Sequence, residues 1–265
     1  MSKRVLISIN EQVAEVRLNR AAKHNALDID MFMAIASAQK QLAKNRRLRA
    51  VILSGEGEDF SSGLDVKSLM KDRSGTLKLL WKWLPWRANL AQIVSVGWRR
   101  LPVPVIAAIH GRCWGGGLQI ALGADFRIVT RDASLSIMEG KWGLIPDMGG
   151  TLALRELMTR DQAMKLAMTA DILTGAQAAE SGLVTELSEE PLKAARDLAR
   201  RIKDRSPDAV AAVKRLYRKS WASGSGRTLA RETAYQIRIF SGANQGIAVK
   251  RQLGEDRAYR KTSKW

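Results

Sequence analysis

Residues 109–128 decide the fold, and they read Ile-His-Gly-Arg-Cys-Trp-Gly-Gly-Gly-Leu-Gln-Ile-Ala-Leu-Gly-Ala-Asp-Phe-Arg-Ile. The apolar run 103–111 that leads into this stretch predicts a buried strand, with Pro102 and Pro104 confined to its beginning. The glycines at 115–117 predict a tight turn into a helix over about 117–122, and residues 125–130 predict another strand. A strand, a glycine turn, a helix and a strand in this order indicate an α/β architecture with right-handed crossovers.

The rest of the chain extends this pattern. Residues 13–18 alternate in polarity and residues 50–55 are apolar, so both segments are predicted to be strands. Asp28 is a suitable N-cap for a helix over 29–44. After residue 161 the pattern becomes helical, with candidates at 176–181, 191–205 and 207–220. We therefore predict an α/β core at 1–195 and a helical C-terminal region at 196–265.

Composition limits the class of protein. With 265 residues, 46% hydrophobic and 26% charged, the chain has the size and balance of a soluble globular protein. Cys113 is the only cysteine, which excludes an intrachain disulfide and favours a reducing compartment. We see neither a secretory signal nor an apolar run of about 18 residues, so we expect a cytoplasmic protein without a membrane span. The His/Cys spacing of a metal site is also absent.

The net charge of +18 predicts an anionic partner, which could be a nucleic acid, a membrane surface or a phosphorylated substrate. The densest basic stretch is 40–49, Lys-Gln-Leu-Ala-Lys-Asn-Arg-Arg-Leu-Arg. A solvated helix face and the turn after it would explain this stretch, and so would a phosphate or RNA patch. The charge by itself does not choose between them.

A second unusual stretch, residues 76–100, holds four tryptophans: Trp81, Trp83, Trp86 and Trp98. Three interpretations remain open. The stretch could be an amphipathic helix packed on the core, a wall or lid of an apolar pocket, or a peripheral membrane contact.

Two glycine turns, 59–65 and 111–117, place backbone amides after strands. Free N–H groups at the start of a helix favour negative charge, which fits a phosphate and an oxyanion equally well. Neither turn has the spacing of a Walker loop or of a Rossmann fingerprint. Each turn alone could also be a plain strand-to-helix connection.

Taken together, the motifs resemble the crotonase superfamily, the enoyl-CoA hydratase/isomerase family. The likeness is carried in order by residues 60–67, 109–128, 139–151 and 173–184, with an early turn at 19–27. The resemblance implies a crotonase-like ββα spiral core with a helical C-terminal trimerisation region. It also implies an acyl-CoA thioester substrate, no separate cofactor, and a homotrimer or dimer of trimers.

The same resemblance assigns roles to individual positions. The backbone N–H groups of Leu64 and Gly116 match the two donors of an oxyanion hole for the thioester oxygen. The positions that match the CoA-binding path are Ala22, His24, Ser62, Asp65, Val66 and Lys67. A multiply phosphorylated ligand would account for the excess positive charge.

Three polar residues match the catalytic positions of the family. Glu139 stands where the family places an acid/base, while Gln119 stands where hydratases have a second glutamate. Because an amide does not titrate in the useful range, Gln119 can orient a group but cannot exchange protons. Asp147 gives the chain a partial likeness to dienoyl-CoA isomerases, although an aspartate in a Pro-Asp-Met-Gly turn can be purely structural.

We therefore interpret the chain first as an enoyl- or dienoyl-CoA isomerase that uses Asp147 and Glu139. The alternative is an enoyl-CoA hydratase with one catalytic glutamate. Two further classes stay open, namely a crotonase-fold protein that binds RNA through residues 40–49 and a non-catalytic acyl-CoA binder. Nucleic acid is the less favoured partner, because residues 40–49 lack interleaved aromatics for base stacking.

Overall fold

A computed structural model describes residues 3–71 and 73–264 of the chain. Its strands form a six-stranded sheet in the order β1-β2-β3-β4-β6-β9 and a three-stranded sheet in the order β5-β7-β8. The strands are β1 Val5–Asn10, β2 Val13–Leu18, β3 Ala50–Gly55, β4 Val105–Ile109, β5 Arg112–Trp114, β6 Phe126–Val129, β7 Ser134–Ser136, β8 Leu173–Thr174 and β9 Glu186–Leu187. In the larger sheet β1 and β2 are antiparallel and the other pairs are parallel.

The strands predicted at 13–18 and 50–55 are confirmed, and the other two are shorter than expected. β4 starts at Val105 because Pro104 has no N–H to give to a ladder. The carbonyl of Pro104 still accepts a bond from Val51 N–H at 2.9 Å. Sequence patterning did not reveal β1, which reaches the sheet by a tight reversal at Glu11 and Gln12, both with positive φ.

Twelve α-helices connect and cover the described strands. They are α1 Ile29–Lys44, α2 Val66–Lys71, α3 Arg73–Leu80, α4 Leu90–Arg100, α5 Gly116–Ala121, α6 Gly150–Leu157, α7 Arg160–Thr169, α8 Gly175–Glu180, α9 Pro191–Lys203, α10 Pro207–Ser220, α11 Ser225–Phe240 and α12 Ala243–Gln252. Asp28 caps α1 as predicted, since its side chain accepts from Met31 N–H at 2.9 Å. Among the described helices, none is long and apolar enough to cross a membrane.

The core has two parts, one on each face of the larger sheet. The main cluster packs α1, α4 and α5 against one face, and Phe32 and Trp98 are among its fully buried side chains. On the opposite face Ala195 and Ala199 of α9 pack against Ile52 and Ile106. Residue 195, where we placed the end of the core, therefore lies inside a helix that covers the sheet, and the division into two regions stays a prediction.

The tryptophan-rich stretch is not one helix. α3 ends at Leu80, Pro85 lies in the connection, and a capping box between Asn89 and Gln92 starts α4 anew. The packed amphipathic helix is confirmed for α4 and is wrong for 81–89. Trp98 is fully buried, whereas three tryptophans before α4 are largely exposed: Trp81 (65%), Trp83 (78%) and Trp86 (79%).

Residues 260–262 fold back onto the second half of the basic stretch 40–49. Thr262 N–H donates to the Arg46 carbonyl at 3.0 Å, and Arg46 Nε donates to the Thr262 carbonyl at 2.7 Å. Arg49, which is buried, donates to the Arg260 carbonyl at 3.0 Å. Two of the basic side chains in this stretch are thus bound to the tail of the chain, and the RNA interpretation stays a prediction for the others.

Candidate active site

The two glycine turns lie against each other. Ser61 N–H donates to the Arg112 carbonyl at 2.9 Å, and Trp114 N–H donates to the Ser61 carbonyl at 3.0 Å. Gly63 has a φ of +89°, and a Cβ there would lie 2.7 Å from the Trp114 carbonyl oxygen and 3.5 Å from the Gly116 nitrogen. Only glycine fits this contact, because both the backbone conformation and the space exclude a side chain.

This contact brings the two predicted oxyanion donors into one place. Leu64 follows Gly63 directly, and Gly116 is the first residue of α5. Within residues 3–71 and 73–264, neither Leu64 N–H nor Gly116 N–H donates to a protein acceptor. Two unpaired backbone donors on adjacent turns have the chemistry needed to hold a carbonyl oxygen that gains negative charge.

Gln119 is buried on α5 and connects two segments. The side-chain oxygen of Gln119, Oε1, accepts from Met148 N–H at 2.9 Å and from Gly150 N–H at 3.1 Å, at the start of α6. Its amide nitrogen donates to Glu139 Oε1 at 2.5 Å. Because the two backbone N–H groups require an oxygen opposite them, the amide orientation is fixed and an N–H must face Glu139.

Glu139 is the most enclosed carboxyl of the site, with 4% of its surface exposed. Burial raises the pKa of Glu139 and the nearby Asp147 carboxyl raises it further, although the bond from Gln119 acts in the opposite direction. Its second oxygen, Oε2, is buried and has no partner among the described residues. A buried, unpaired carboxyl oxygen is costly, so this atom marks a place for a water molecule or a substrate group.

Asp147 is more open than Glu139 and lines a cavity of about 460 Å³. Asp147 is an exposed residue, and its partial desolvation by the surrounding protein raises the pKa of its carboxyl group. Two carboxyl groups with raised pKa values on neighbouring segments are a typical setting for proton transfer near neutral pH.

The predicted CoA-path residues lie around the first glycine turn. Asp65 is held by Arg20, whose Nη1 donates at 2.8 Å, and Asp65 also accepts from Ser68 N–H at the start of α2. Burial acts to raise the pKa of Asp65, but Arg20 and Ser68 hold it below its usual value. Ala22, His24 and Lys67 are exposed, and Ser62 and Val66 are partly buried.

His24 joins the two turns through Asp59. Its Nδ1 lies 2.8 Å from Asp59 Oδ2, and Arg112 N–H and Nε both donate to Asp59 Oδ1, at 2.7 and 2.9 Å. Burial acts to raise the pKa of Asp59, yet these bonds keep it low. Sequence reasoning missed Asp59 and Arg112 as positioning residues, although Asp59 opens the turn 59–65 and Arg112 lies in the turn 111–117.

The cavity beside Asp147 carries a feature that the sequence did not reveal. Its wall contains six cationic side chains, from the stretch before α4 and from α4, α6 and α10: Lys82, Arg87, Arg99, Arg100, Arg155 and Arg218. Trp86 also lines it, but this cavity is rich in cations, so the predicted wall of an apolar pocket stays a prediction. A larger cavity of about 670 Å³ lies under α10, and neither Glu139 nor Asp147 lines it.

Within the part of the chain that the structure describes, no group of His, Cys, Asp and Glu could hold a metal ion.

Comparison with known sequences shows the family of the chain. The family model described as enoyl-CoA hydratase/isomerase matches residues 8–253. A carnitinyl-CoA dehydratase of Salmonella typhi is 32% identical over 221 residues, which is 82% of this chain and 81% of the relative.

Comparison with solved structures gives the same class. An enoyl-CoA hydratase from Mycobacterium tuberculosis H37Rv aligns with a TM-score of 0.86 and 29% identity, over 98% of this chain and 100% of that one. An enoyl-CoA hydratase from Thermoplasma volcanium GSS1 aligns with a TM-score of 0.83 and 26% identity, over 94% and 97% of the two chains.

Proposed function

This chain belongs to the enoyl-CoA hydratase/isomerase family, and on that premise we propose that it catalyses reversible hydration of a 2-enoyl-CoA thioester. The reverse direction is dehydration of a 3-hydroxyacyl-CoA. Membership confirms the resemblance to the crotonase superfamily and identifies the protein as an enzyme that acts on acyl-CoA. The observation that carries the choice of hydration is the unpaired Oε2 of Glu139 beside the amide of Gln119.

The proposed role of the two backbone donors is to stabilise the enolate. Leu64 N–H and Gly116 N–H bind the thioester oxygen, which gains negative charge when water adds to C3. Loss of one such donor in other enzymes costs about 3 kcal/mol of transition-state stabilisation. Support for this role comes from the contact at Gly63, which places the two turns side by side.

Glu139 is the proposed acid/base. Its ionised Oε2 takes a proton from water as the oxygen bonds to C3, and the same carboxyl then returns that proton to C2. One carboxyl group therefore balances the addition of water without a second acid. A raised pKa suits both halves of this cycle, because the group can hold the proton between the two steps.

Gln119 is proposed to position Glu139 and the water. Its carbonyl oxygen is committed to Met148 and Gly150, and one amide hydrogen is committed to Glu139. The other amide hydrogen has no acceptor among the described residues. It can therefore donate to the oxygen of a water molecule whose proton points at Glu139 Oε2.

Asp147 favours a second candidate, the isomerisation of an enoyl- or dienoyl-CoA. In that reaction one carboxyl removes a proton beside the thioester and another returns a proton further along the acyl chain. Asp147 lies close enough to raise the pKa of Glu139, and it lines the cavity next to it. A second proton-transfer group is therefore in a suitable region.

The CoA moiety is proposed to follow the first glycine turn, past Ala22, His24, Ser62, Asp65, Val66 and Lys67. Exposed basic groups there would face its phosphates, in keeping with the net charge of +18. A trimer or dimer of trimers, a cytoplasmic location and the absence of a separate cofactor also remain proposals. The carnitinyl group named for one relative carries a fixed positive charge, so the cationic cavity argues against transferring that substrate to this chain.

A test of the proposed function uses crotonyl-CoA, a 3-enoyl-CoA and a 3,5-dienoyl-CoA with the pure protein in D₂O. Hydration predicts loss of the conjugated thioester, a 3-hydroxyacyl product and one deuterium at C2. Glu139→Gln should abolish this reaction, whereas Asp147→Asn should retain most of it.

The alternatives give different results. If the double bond migrates without addition of water, and if both Glu139→Gln and Asp147→Asn abolish that migration, the protein is an isomerase and not a hydratase. Binding of all the thioesters without turnover would identify a non-catalytic acyl-CoA binder. Salt-dependent RNA binding that is lost on charge removal at Lys40 and Lys44 would support the RNA interpretation.

A further inference from the structure

The cationic cavity is the part of the site that hydration does not explain. Asp147 stands at its wall close to Glu139, and the six cationic side chains occupy other parts of the wall. Two acidic groups also line it, Asp147 and Glu156, and Glu156 is bound to Arg99 at 2.5 Å. Even with Asp147 ionised, positive charge is in clear excess.

The cations at this wall are mostly uncompensated. Among residues 3–71 and 73–264, Arg100 and Arg218 have neither an ion pair nor a side-chain hydrogen bond, and the same holds for Lys82, Arg87 and Arg155. Arg100 and Arg218 also line an adjoining cavity of about 50 Å³ together with Lys214 and Arg215. Of these two, Lys214 is paired with Asp125 at 2.6 Å and Arg215 donates to Tyr235.

The guanidinium groups are close enough to repel one another. Burial lowers the pKa of Arg218, and Arg215, Arg100 and Arg99 lower it further. Arg100 and Arg218 are exposed to solvent, so a bound anion would replace water at their guanidinium groups and relieve this repulsion. Arginine suits a carboxylate well, because its planar N–H groups can bind both oxygens.

We propose that the acyl group of the substrate ends in a carboxylate, which Arg100 and Arg218 bind in the cavity that Asp147 also lines. The inference rests on the proposed function, since it takes the region of Glu139 and Asp147 as the position of the reacting carbons. Pro85, Trp86, Val96 and Leu152 provide apolar wall for the methylenes between the reacting carbons and the carboxylate. An acyl-CoA with a second carboxyl group thus matches both the apolar and the cationic parts of the lining.

Equilibrium binding tests the inference without turnover. Saturated acyl-CoAs cannot be hydrated, so succinyl-, adipyl- and suberyl-CoA are compared by calorimetry with butyryl-, hexanoyl- and octanoyl-CoA. We expect at least one carboxylated member to bind about tenfold tighter than its neutral counterpart, as a charge-assisted bond allows. A hexanoyl-CoA that ends in a trimethylammonium group should bind more weakly than both adipyl-CoA and hexanoyl-CoA.

Substitutions test whether Arg100 and Arg218 cause the preference for carboxylated acyl-CoAs. Arg100→Gln with Arg218→Gln should remove it and leave the affinity for hexanoyl-CoA unchanged, whereas Arg218→Lys should keep part of it. Arg160→Gln, which removes one positive charge at the exposed start of α7, should change neither affinity. Circular dichroism and sedimentation verify that each variant is folded and has the assembly of the parent.

The failures are distinguishable. If hexanoyl-CoA binds and crotonyl-CoA is hydrated, but no carboxylated ligand is preferred, the inference is overturned and the proposed function stands. If no acyl-CoA binds at all, both fall. If the double substitution alters only the assembly and leaves the preference intact, the cluster is a subunit contact and the inference is overturned.

Discussion

The surroundings of Glu139 and the cavity that Asp147 lines differ in how their charged groups are paired. Around Glu139 the polar atoms are buried, and among the described residues most of them are paired, with Oε2 of Glu139 as an exception. A neutral amide stands beside the carboxyl. In the cavity that Asp147 lines, Arg99 is paired with Glu156, while Arg100, Arg155 and Arg218 have no anionic partner among the described residues. The first arrangement holds the reacting carboxyl in one position, whereas the second leaves positive charge that an anionic ligand could neutralise. Chemistry and recognition are therefore separable here, and substitutions in one region should leave the other intact.

The largest effect is expected at Glu139. Glu139→Gln keeps the size and an acceptor for Gln119 but removes the titrating group, so kcat should fall by about 10²–10⁴-fold. Steady-state kinetics with crotonyl-CoA measure this loss. A change of KM alone would show that Glu139 only binds substrate.

The same substitution should raise stability at neutral pH. Because burial raises the folded-state pKa of Glu139, the folded protein favours the protonated form, and wild-type stability falls as pH rises through that pKa. Glutamine has no such loss. The difference in Tm between variant and parent should therefore grow from acidic to neutral pH, and a constant difference would contradict the pKa shift.

Gly63→Ala is expected to have the next largest effect. The new Cβ would meet the Trp114 carbonyl at 2.7 Å in a backbone conformation with positive φ, so the turn must move. Moving it displaces Leu64 N–H, and kcat/KM should fall by about 10²-fold, as for loss of one oxyanion donor. Gly224→Ala, at a position with open space and negative φ, serves as the control.

Gln119→Glu should have a smaller effect on rate but a clear one on pH dependence. A carboxylate oxygen can still accept from Met148 and Gly150, but the other oxygen would lie against Glu139 Oε1. Two adjacent carboxyls share a proton, so one apparent pKa should rise, shifting the acidic limb of the pH–rate profile by about one unit or more. An unchanged profile would mean that Gln119 does not contact Glu139 in the working enzyme.

The smallest effect is expected in the cationic cavity. Arg218→Gln removes repulsion from neighbouring arginines, so the free energy of unfolding should rise by a few tenths of a kcal/mol at low salt. The gain should fade as salt is added, while turnover of crotonyl-CoA stays near that of the parent. A gain of equal size at high salt would point to packing instead of charge.

The sequence located the groups of the site better than their connections. Glu139, Gln119 and Asp147 could be found because each lies beside a glycine-rich turn whose letters are distinctive. The bond from Gln119 to Glu139 could not be found, because it joins α5 to a segment 20 residues further along. The interruption of the helix near Pro85 could have been predicted from the proline. The amphipathic pattern of the tryptophan-rich stretch favoured one continuous helix instead.

By itself the sequence determined the α/β class, the family resemblance and the region of the two turns, because glycine, proline and cap residues act over a few neighbours. Only the tertiary structure decided which atoms are left unpaired. Leu64 N–H, Glu139 Oε2 and the guanidinium groups of Arg100 and Arg218 have no partner among the described residues, because elements distant in the chain meet around them. Whether a polar group stays unpaired depends on how elements distant in the chain pack together, and the local sequence contains little information about that packing.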